Sequence, residues 1–373
     1  MRMDRFSIHN KSDKPDNVVL RENEIFEQCL EIEGKLPEFM ADFFLYLKTS
    51  VALSTRLAYL EDILFFCNYL VCESNLTSAK SPKEITSKDF NNIKARDINR
   101  FIGGYCTRYR SIEGDYIRIV ENNTRSLARK QSSLSVLFKY LYRDEIIQSN
   151  ITDGFNPIRL PKPQPDAIKR LEIDEVIKML EIVDTGHGLS QREKIYWEKT
   201  KLRDKAILIL FVTYGLRVSE LQQLNISSFN FNRGDFIIYR KRGKEVLMPL
   251  NRTCEKVIKD YINEERTSDN SIGANHRDAL FLSIQDRRMS IRAIRNLVKK
   301  YTALALGTSK NSGYSPHKLR ATAATSLIQQ GFSIYDVQNL LDHENVTTTQ
   351  LYAAHRKDVK REIVKNFEWL DEV

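Results

Sequence analysis

Residues 156–166 read NPIRLPKPQPD, four prolines in eleven residues with arginine and lysine between them. Proline lacks a backbone N–H and biases the residue before it away from helix, so this stretch fits neither a helix interior nor a sheet. It is expected to run extended between two folded bodies. A chain of 373 residues favours two domains on length as well. The expected division is a polar N-terminal extension at 1–36, a helical domain at 37–155, the linker at 156–168 and a larger domain at 169–373.

On the N-terminal side, apolar residues recur at helical spacing. Phe39, Phe43, Phe44 and Leu47 mark one helix, and Tyr59, Ile63, Leu64, Tyr69 and Leu70 a second. ARDINRFIGGYCTRY makes a third, and residues 122–142 a fourth. Residues 73–94 read as a polar connection, and 1–37 as a polar segment with a short helix around 24–32. The domain is therefore expected to be a small all-helical bundle. In its fourth helix Leu134, Leu137, Phe138 and Leu141 oppose Arg125, Arg129 and Lys130, a basic face open to solvent or to an anionic partner.

Beyond the linker, LEIDEVIKMLEIV predicts a helix and DTGHGLSQREKIYWEKTK a polar, charged insert. KAILILFVTYGLRVSELQQL predicts a buried helix broken near Gly215. FIIY and VLMPL flank the turn-like RKRGKE and predict a β-hairpin or small sheet. Helices return at 253–264 and 291–304. The fold class is mostly α, with a helical bundle followed by a larger α-rich domain that holds a small antiparallel sheet.

The formal net charge is +9, unevenly placed. Residues 1–37 carry 6 basic and 8 acidic residues, 38–160 carry 17 and 14, and 161–373 carry 35 and 27. The excess in the larger domain fits a polyanionic partner. Five cysteines (Cys29, Cys67, Cys72, Cys106, Cys254) are odd in number and lack metal-ligand spacing. No apolar run reaches the roughly 20 residues of a membrane span, and the N-terminus lacks a secretory signal's apolar centre. The expectation is a cytoplasmic protein with buried thiols, no bound metal and no membrane association.

The stretch from Ser315 to Tyr352 carries the chemistry. His317 and Arg320 share one helical face, so an imidazole and a cation can meet one anionic centre. Gly331 ends that helix and SIYDVQNLL begins another, followed by His343 and, nine residues on, Tyr352. Upstream, Arg217 follows Gly215 in TYGLRVSEL with Glu220 one turn later, and Lys241 and Lys244 sit in the hairpin turn. This order and context resemble the tyrosine recombinase (phage integrase) family, from about residue 37 to residue 360. The family pattern has an arginine in a T-G-L-R-type turn before S-E-L, and a lysine eight residues before a P-L pair, as Lys241 stands before Pro249-Leu250. An H-x-L-R motif and an L-G-H motif with a tyrosine nine residues past its histidine complete it. The chain departs from it at Asp342, where glycine is usual, and at Ala321, where histidine is common. These departures remove no catalytic group and stand apart from a housekeeping chromosome-resolution recombinase.

The resemblance implies a SAM-like core-binding bundle joined to a catalytic domain that cuts and rejoins DNA strands. Arg217 and Arg320 would neutralise the phosphate, Lys241 protonate the leaving oxygen, His317 exchange a proton with the nucleophile Tyr352, and His343 donate to the phosphate. Glu220 would orient Arg217. Fixed cations supply the charge stabilisation, so no cofactor or metal is implied. Lys241 stands ahead of Lys244 on its spacing from Pro249, and Arg125, Arg129, Lys130 and Lys244 become candidate DNA contacts. The implied partners are double-stranded DNA with an inverted-repeat core site and three further copies of the chain in a homotetramer, with an excision factor as a possible accessory. A C-terminal helix at about 357–370 would dock on its own domain or on a neighbouring protomer. Mobile-element integration, Xer-type dimer resolution and a type IB topoisomerase-like activity are the functions in view.

Overall fold

The computed structural model describes residues 15–113, 116–160, 169–240, 243–266, 272–273 and 276–342. The chain forms two compact units that divide at residues 162 and 163, within the proline-rich stretch.

The first unit runs α1 (Asp16–Glu33), α2 (Ala41–Ser50), α3 (Leu53–Cys72), α4 (Ser87–Asn92), α5 (Ala95–Gly103), β1 (Arg108–Glu113), β2 (Tyr116–Glu121) and α6 (Thr124–Arg143). Asn123 starts α6, its side-chain oxygen accepting from the Ser126 N–H at 2.9 Å. The apolar stripe of α6, Leu134, Leu137, Phe138 and Leu141, is fully buried and packs on α3. Rings extend this core, with Phe66 against Phe101 at 4.9 Å and Phe90 against Phe138 at 5.6 Å between centroids.

Two features differ from the sequence-based expectation. The polar-looking N-terminal segment contributes an 18-residue helix, twice as long as the short helix expected around 24–32 and containing it. α1 packs along α3 because Cys29 is buried and Glu33 accepts from Arg56, 2.5 Å from its Nη2, with Arg56 itself 2% exposed. The bundle therefore includes residues expected to lie outside it. The unit is also not all-helical: β1 and β2 pair antiparallel with Arg108 opposite Glu121 and Glu113 opposite Tyr116. Residues 73–94, expected as a connection, include α4, closed by a Thr86–Asp89 capping box.

The second unit runs α7 (Ile173–Thr185), α8 (Gln191–Trp197), α9 (Lys201–Tyr214), α10 (Val218–Gln223), β3 (Phe229–Asn230), β4 (Asp235–Tyr239), β5 (Glu245–Pro249), α11 (Arg252–Asp260), α12 (Ile291–Leu306), α13 (Pro316–Gln329) and α14 (Ile334–Leu341). α9 is its centre: Ala206, Ile207, Leu208, Leu210 and Phe211 are fully buried, and α7, α11 and α13 pack around it. The strands form one antiparallel sheet in the order β3-β4-β5, which turns Phe236, Ile238 and Met248 into the core. The expected polar insert holds a helix, α8, capped by Ser190 and Glu193, and Trp197 donates to the Val183 carbonyl at 2.6 Å. α11 passes into one π-helical turn, 261–265. The Glu265 carboxylate there accepts from the backbone N–H groups of Leu202 and Arg203, two donors otherwise orphaned at the start of α9.

The mostly helical class with a small antiparallel sheet is as the sequence predicts. Among the described residues no helix is long and apolar enough to cross a membrane.

Candidate active site

Three consecutive carbonyls at the end of α14 are each met by an arginine from a different element. Arg240 Nη2 donates to Leu340 O at 2.5 Å, Arg320 Nη2 donates to Leu341 O, and Arg217 Nη2 donates to Asp342 O at 2.9 Å. The last carbonyls of a helix have no intrahelical partner and carry the negative end of its dipole, so they gather cations. Here they gather three.

Local sequence places each arginine. Gly215 ends α9 in the left-handed conformation, φ 58°, and a Cβ there would come within 2.6 Å of Leu341 and 3.5 Å of Arg320. This tight reversal puts Arg217 at the cap of α10, where Glu220 grips it twice. The Arg217 backbone N–H donates to Oε2 at 2.8 Å and Nη1 to Oε1 at 2.7 Å. Glu220 is 2% exposed, so its charge is compensated by this pair. Arg320 lies on α13 and is 3% exposed; its Nη1 donates to Gly215 O at 2.6 Å. Small buried side chains around it, Ala321, Thr322, Ala323 and Ala324, allow α13 to lie close to α9. Pro316 opens α13 in the first turn, where its missing N–H costs nothing.

His317 follows Pro316 and presents an exposed residue on the same helix as Arg320. Partial desolvation, then the charges of Lys318, Arg320 and Arg217, lower its pKa below the ordinary 6.5, so the imidazole is neutral at pH 7. Lys244 lies 3.3 Å from the Asp342 carboxylate. Lys241, His343 and Tyr352 lie outside the described residues, as does the segment 357–370. The structure thus brings Arg217, Arg320, Glu220 and Lys244 to one helix end, with His317 in the first turn of the helix that carries Arg320.

Arg240 was absent from the sequence reading. It is 7% exposed and stands at the end of β4, one residue before Lys241. A basic residue in a basic turn, RKRGK, gives no local sign that it turns inward; its partners lie 100 residues away.

The basic face of α6 needs correction. Lys130, a candidate DNA contact, is buried: its Nζ sits 3.0 Å from Asp62 and 4.4 Å from the Phe65 ring centroid. Arg129 also pairs with Asp62, at 2.7 Å, and donates to Ala58 O at 3.0 Å. Asp62 is 2% exposed, and a buried carboxylate draws cations inward because charge out of water needs a partner. Arg125 remains exposed.

The phage integrase family model matches residues 169–358, which include Arg217, Arg240 and Arg320. The chain belongs to that family: it is a tyrosine recombinase, whose class cleaves and rejoins DNA. It is 30% identical over 315 residues to the tyrosine recombinase XerC of Syntrophus aciditrophicus (strain SB), covering 84% of this chain and 91% of that protein. It is 27% identical over 336 residues to the tyrosine recombinase XerD of Listeria monocytogenes serotype 4b (strain F2365), covering 88% and 98%. Among solved structures, the XerH site-specific recombinase bound to palindromic difH substrate, a post-cleavage complex, shares the fold with a TM-score of 0.55, 18% identity and coverage of 85% and 80%. A lambda integrase(75-356) dimer bound to a COC′ core site shares it at 0.54, 17% identity and coverage of 85% and 95%.

Proposed function

We propose that this chain is a site-specific recombinase that acts through a covalent 3′-phosphotyrosyl intermediate, with two duplexes held in a tetrameric synapse, in the service of a mobile element. The observation that carries it is the meeting of Arg217 and Arg320 at residues 341 and 342, immediately before His343 and ten residues before Tyr352. The palindromic difH substrate of XerH supports an inverted-repeat site for this chain too. The replacement of glycine by Asp342 in the L-G-H pattern supports a role apart from housekeeping resolution.

In the proposed reaction the Tyr352 phenol oxygen attacks the scissile phosphorus while the bond to the 5′-oxygen breaks. His317, neutral at pH 7, takes the phenol proton, and Lys241 delivers one to the departing 5′-oxygen. Arg217 and Arg320 hold planar forks on the non-bridging oxygens, where charge develops, and His343 donates to the same phosphate. The ester conserves the energy of the broken bond, and a 5′-hydroxyl from another strand reverses the step.

Tyr352→Phe is expected to bind duplex DNA as the unaltered protein does and to give no SDS-resistant protein–DNA adduct. An adduct formed by that variant would place the nucleophile elsewhere.

A further inference from the structure

The end of α14 holds a charge arrangement that strand cleavage does not call for. Asp342 follows α14 with φ 51° and ψ 53°, a left-handed conformation that is less favourable for a residue with a Cβ than for glycine. Glycine, usual at this point of the motif, avoids that strain. An aspartate here is stabilised through its side chain, and its partners are close. Oδ1 lies 3.3 Å from Lys244 Nζ and 3.5 Å from Arg240 Nη1, and Oδ2 lies 3.9 Å from Arg217 Nη1. One carboxylate thus sits among three cations, one of them the arginine assigned to the scissile phosphate.

Two further observations bear on what this carboxylate does. Among the described residues the buried Nε–H of Arg240 has no hydrogen-bond partner; it is a donor that Asp342 does not satisfy and whose burial is costly. Beside the cluster lies a cleft of about 440 Å³ between the hairpin turn, with Arg240, Lys244 and Glu245, and the end of α14, with Gln338, Asn339 and Asp342. It is large enough for a phosphate group and its water.

We propose that Asp342 is an internal stand-in for phosphate. Its carboxylate holds Arg217, Arg240 and Lys244 together while no DNA is bound, and a DNA backbone phosphate displaces it, with Arg240 and Lys244 as further phosphate contacts. The exchange is neutral in charge, one anion for another, and the Asp342 side chain is already 30% exposed, so it needs only to turn into water. DNA must compete with this carboxylate, which weakens casual phosphate binding and reserves the cluster for DNA that brings contacts elsewhere. The assignment rests on the recombinase reading only for the identity of the displacing anion.

The test uses the full chain and inorganic sulfate as the probe, with binding read by calorimetry and by the sulfate-induced rise in Tm. Asp342→Asn keeps the shape without the charge, and Asp342→Gly supplies the residue most at ease in this conformation. If the carboxylate occupies the cluster about nine-tenths of the time, both variants bind sulfate about tenfold more tightly. Adding Lys244→Gln to Asp342→Asn is expected to remove part of the gain. Glu245→Gln, which neutralises another carboxylate lining the cleft, is expected to match the unaltered protein. Sulfate affinity unchanged in both Asp342 variants, an equal gain in Glu245→Gln, or a gain indifferent to Lys244→Gln would each overturn the proposal. No DNA is cut in this measurement, so its outcome is independent of Tyr352. A sulfate gain alongside an unaltered protein that forms no DNA adduct would remove the proposed chemistry and leave the stand-in.

Discussion

Arg217 and Arg320 are held in different ways, and the difference sets how each tolerates change. Arg320 is anchored by backbone carbonyls of Gly215 and Leu341, whereas Arg217 is held by a buried carboxylate and a carbonyl. His317 adds a titrating group beside them. Its folded pKa is lowered, so the proton acceptor is available above that value and is lost as pH falls through it. The rate of adduct formation is expected to fall on an acidic limb centred below pH 6.5, and His317→Gln is expected to be slow and to lack that limb. An unchanged limb in the variant would assign the titration to another group. In the first unit, Asp62→Ala would leave the Lys130 ammonium buried and unpaired, and a loss of about 3–5 kcal/mol is expected in urea unfolding. Arg125→Ala is expected to leave stability unchanged while flattening the log–log salt dependence of DNA binding by about 0.9 if it meets one phosphate.

At the scale of elements, the turn at Gly215 decides where two helices meet. Gly215→Ala adds a Cβ 2.6 Å from the Leu341 side chain and forces alanine to φ 58°. A loss of roughly 1–2 kcal/mol is expected from the backbone alone, with the end of α14 pushed off the arginines. Adduct formation should therefore fall further than the thermal melt accounts for; parallel losses would make the glycine purely structural. Much of this was legible in the sequence. The stripe Leu134, Leu137, Phe138 and Leu141 announces α6, and the glycine-then-arginine run announces the break between α9 and α10. What was missed depends on distant partners. Lys130 reads as a surface residue because Asp62 is 68 positions away, and Arg240 because Leu340 is 100 away. The paired strands β1 and β2 did carry a local signal, two β-rich runs on either side of Gly114-Asp115 in the sequence. The second strand, with Tyr116, Ile117 and Ile119 exposed, shows none of the alternation that marks a half-buried strand.

Among the described residues each unit has its own large apolar core. A unit with its own core can fold alone. Residues 1–162 expressed alone are therefore expected to melt in one cooperative transition with helical circular dichroism. A broad, non-cooperative melt would show that the first unit depends on the second. The second unit carries most of the excess positive charge, 35 basic against 27 acidic residues over 161–373, and so most of the long-range attraction for a polyanion.

The three arginines on consecutive carbonyls also fix one end of a leash. Tyr352 is ten Cα-to-Cα steps beyond Asp342, so the phenol oxygen can lie no more than about 36 Å of extended backbone, plus its own side chain, from the pinned carbonyl. One tyrosine confined to a sphere of that radius has a mean concentration on the order of 10 mM. On the proposed chemistry the same leash acts after cleavage. A strand esterified to Tyr352 keeps its 3′-phosphate within that radius however weakly the DNA itself is held, so the choice of rejoining partner falls to whichever 5′-hydroxyl is brought to it.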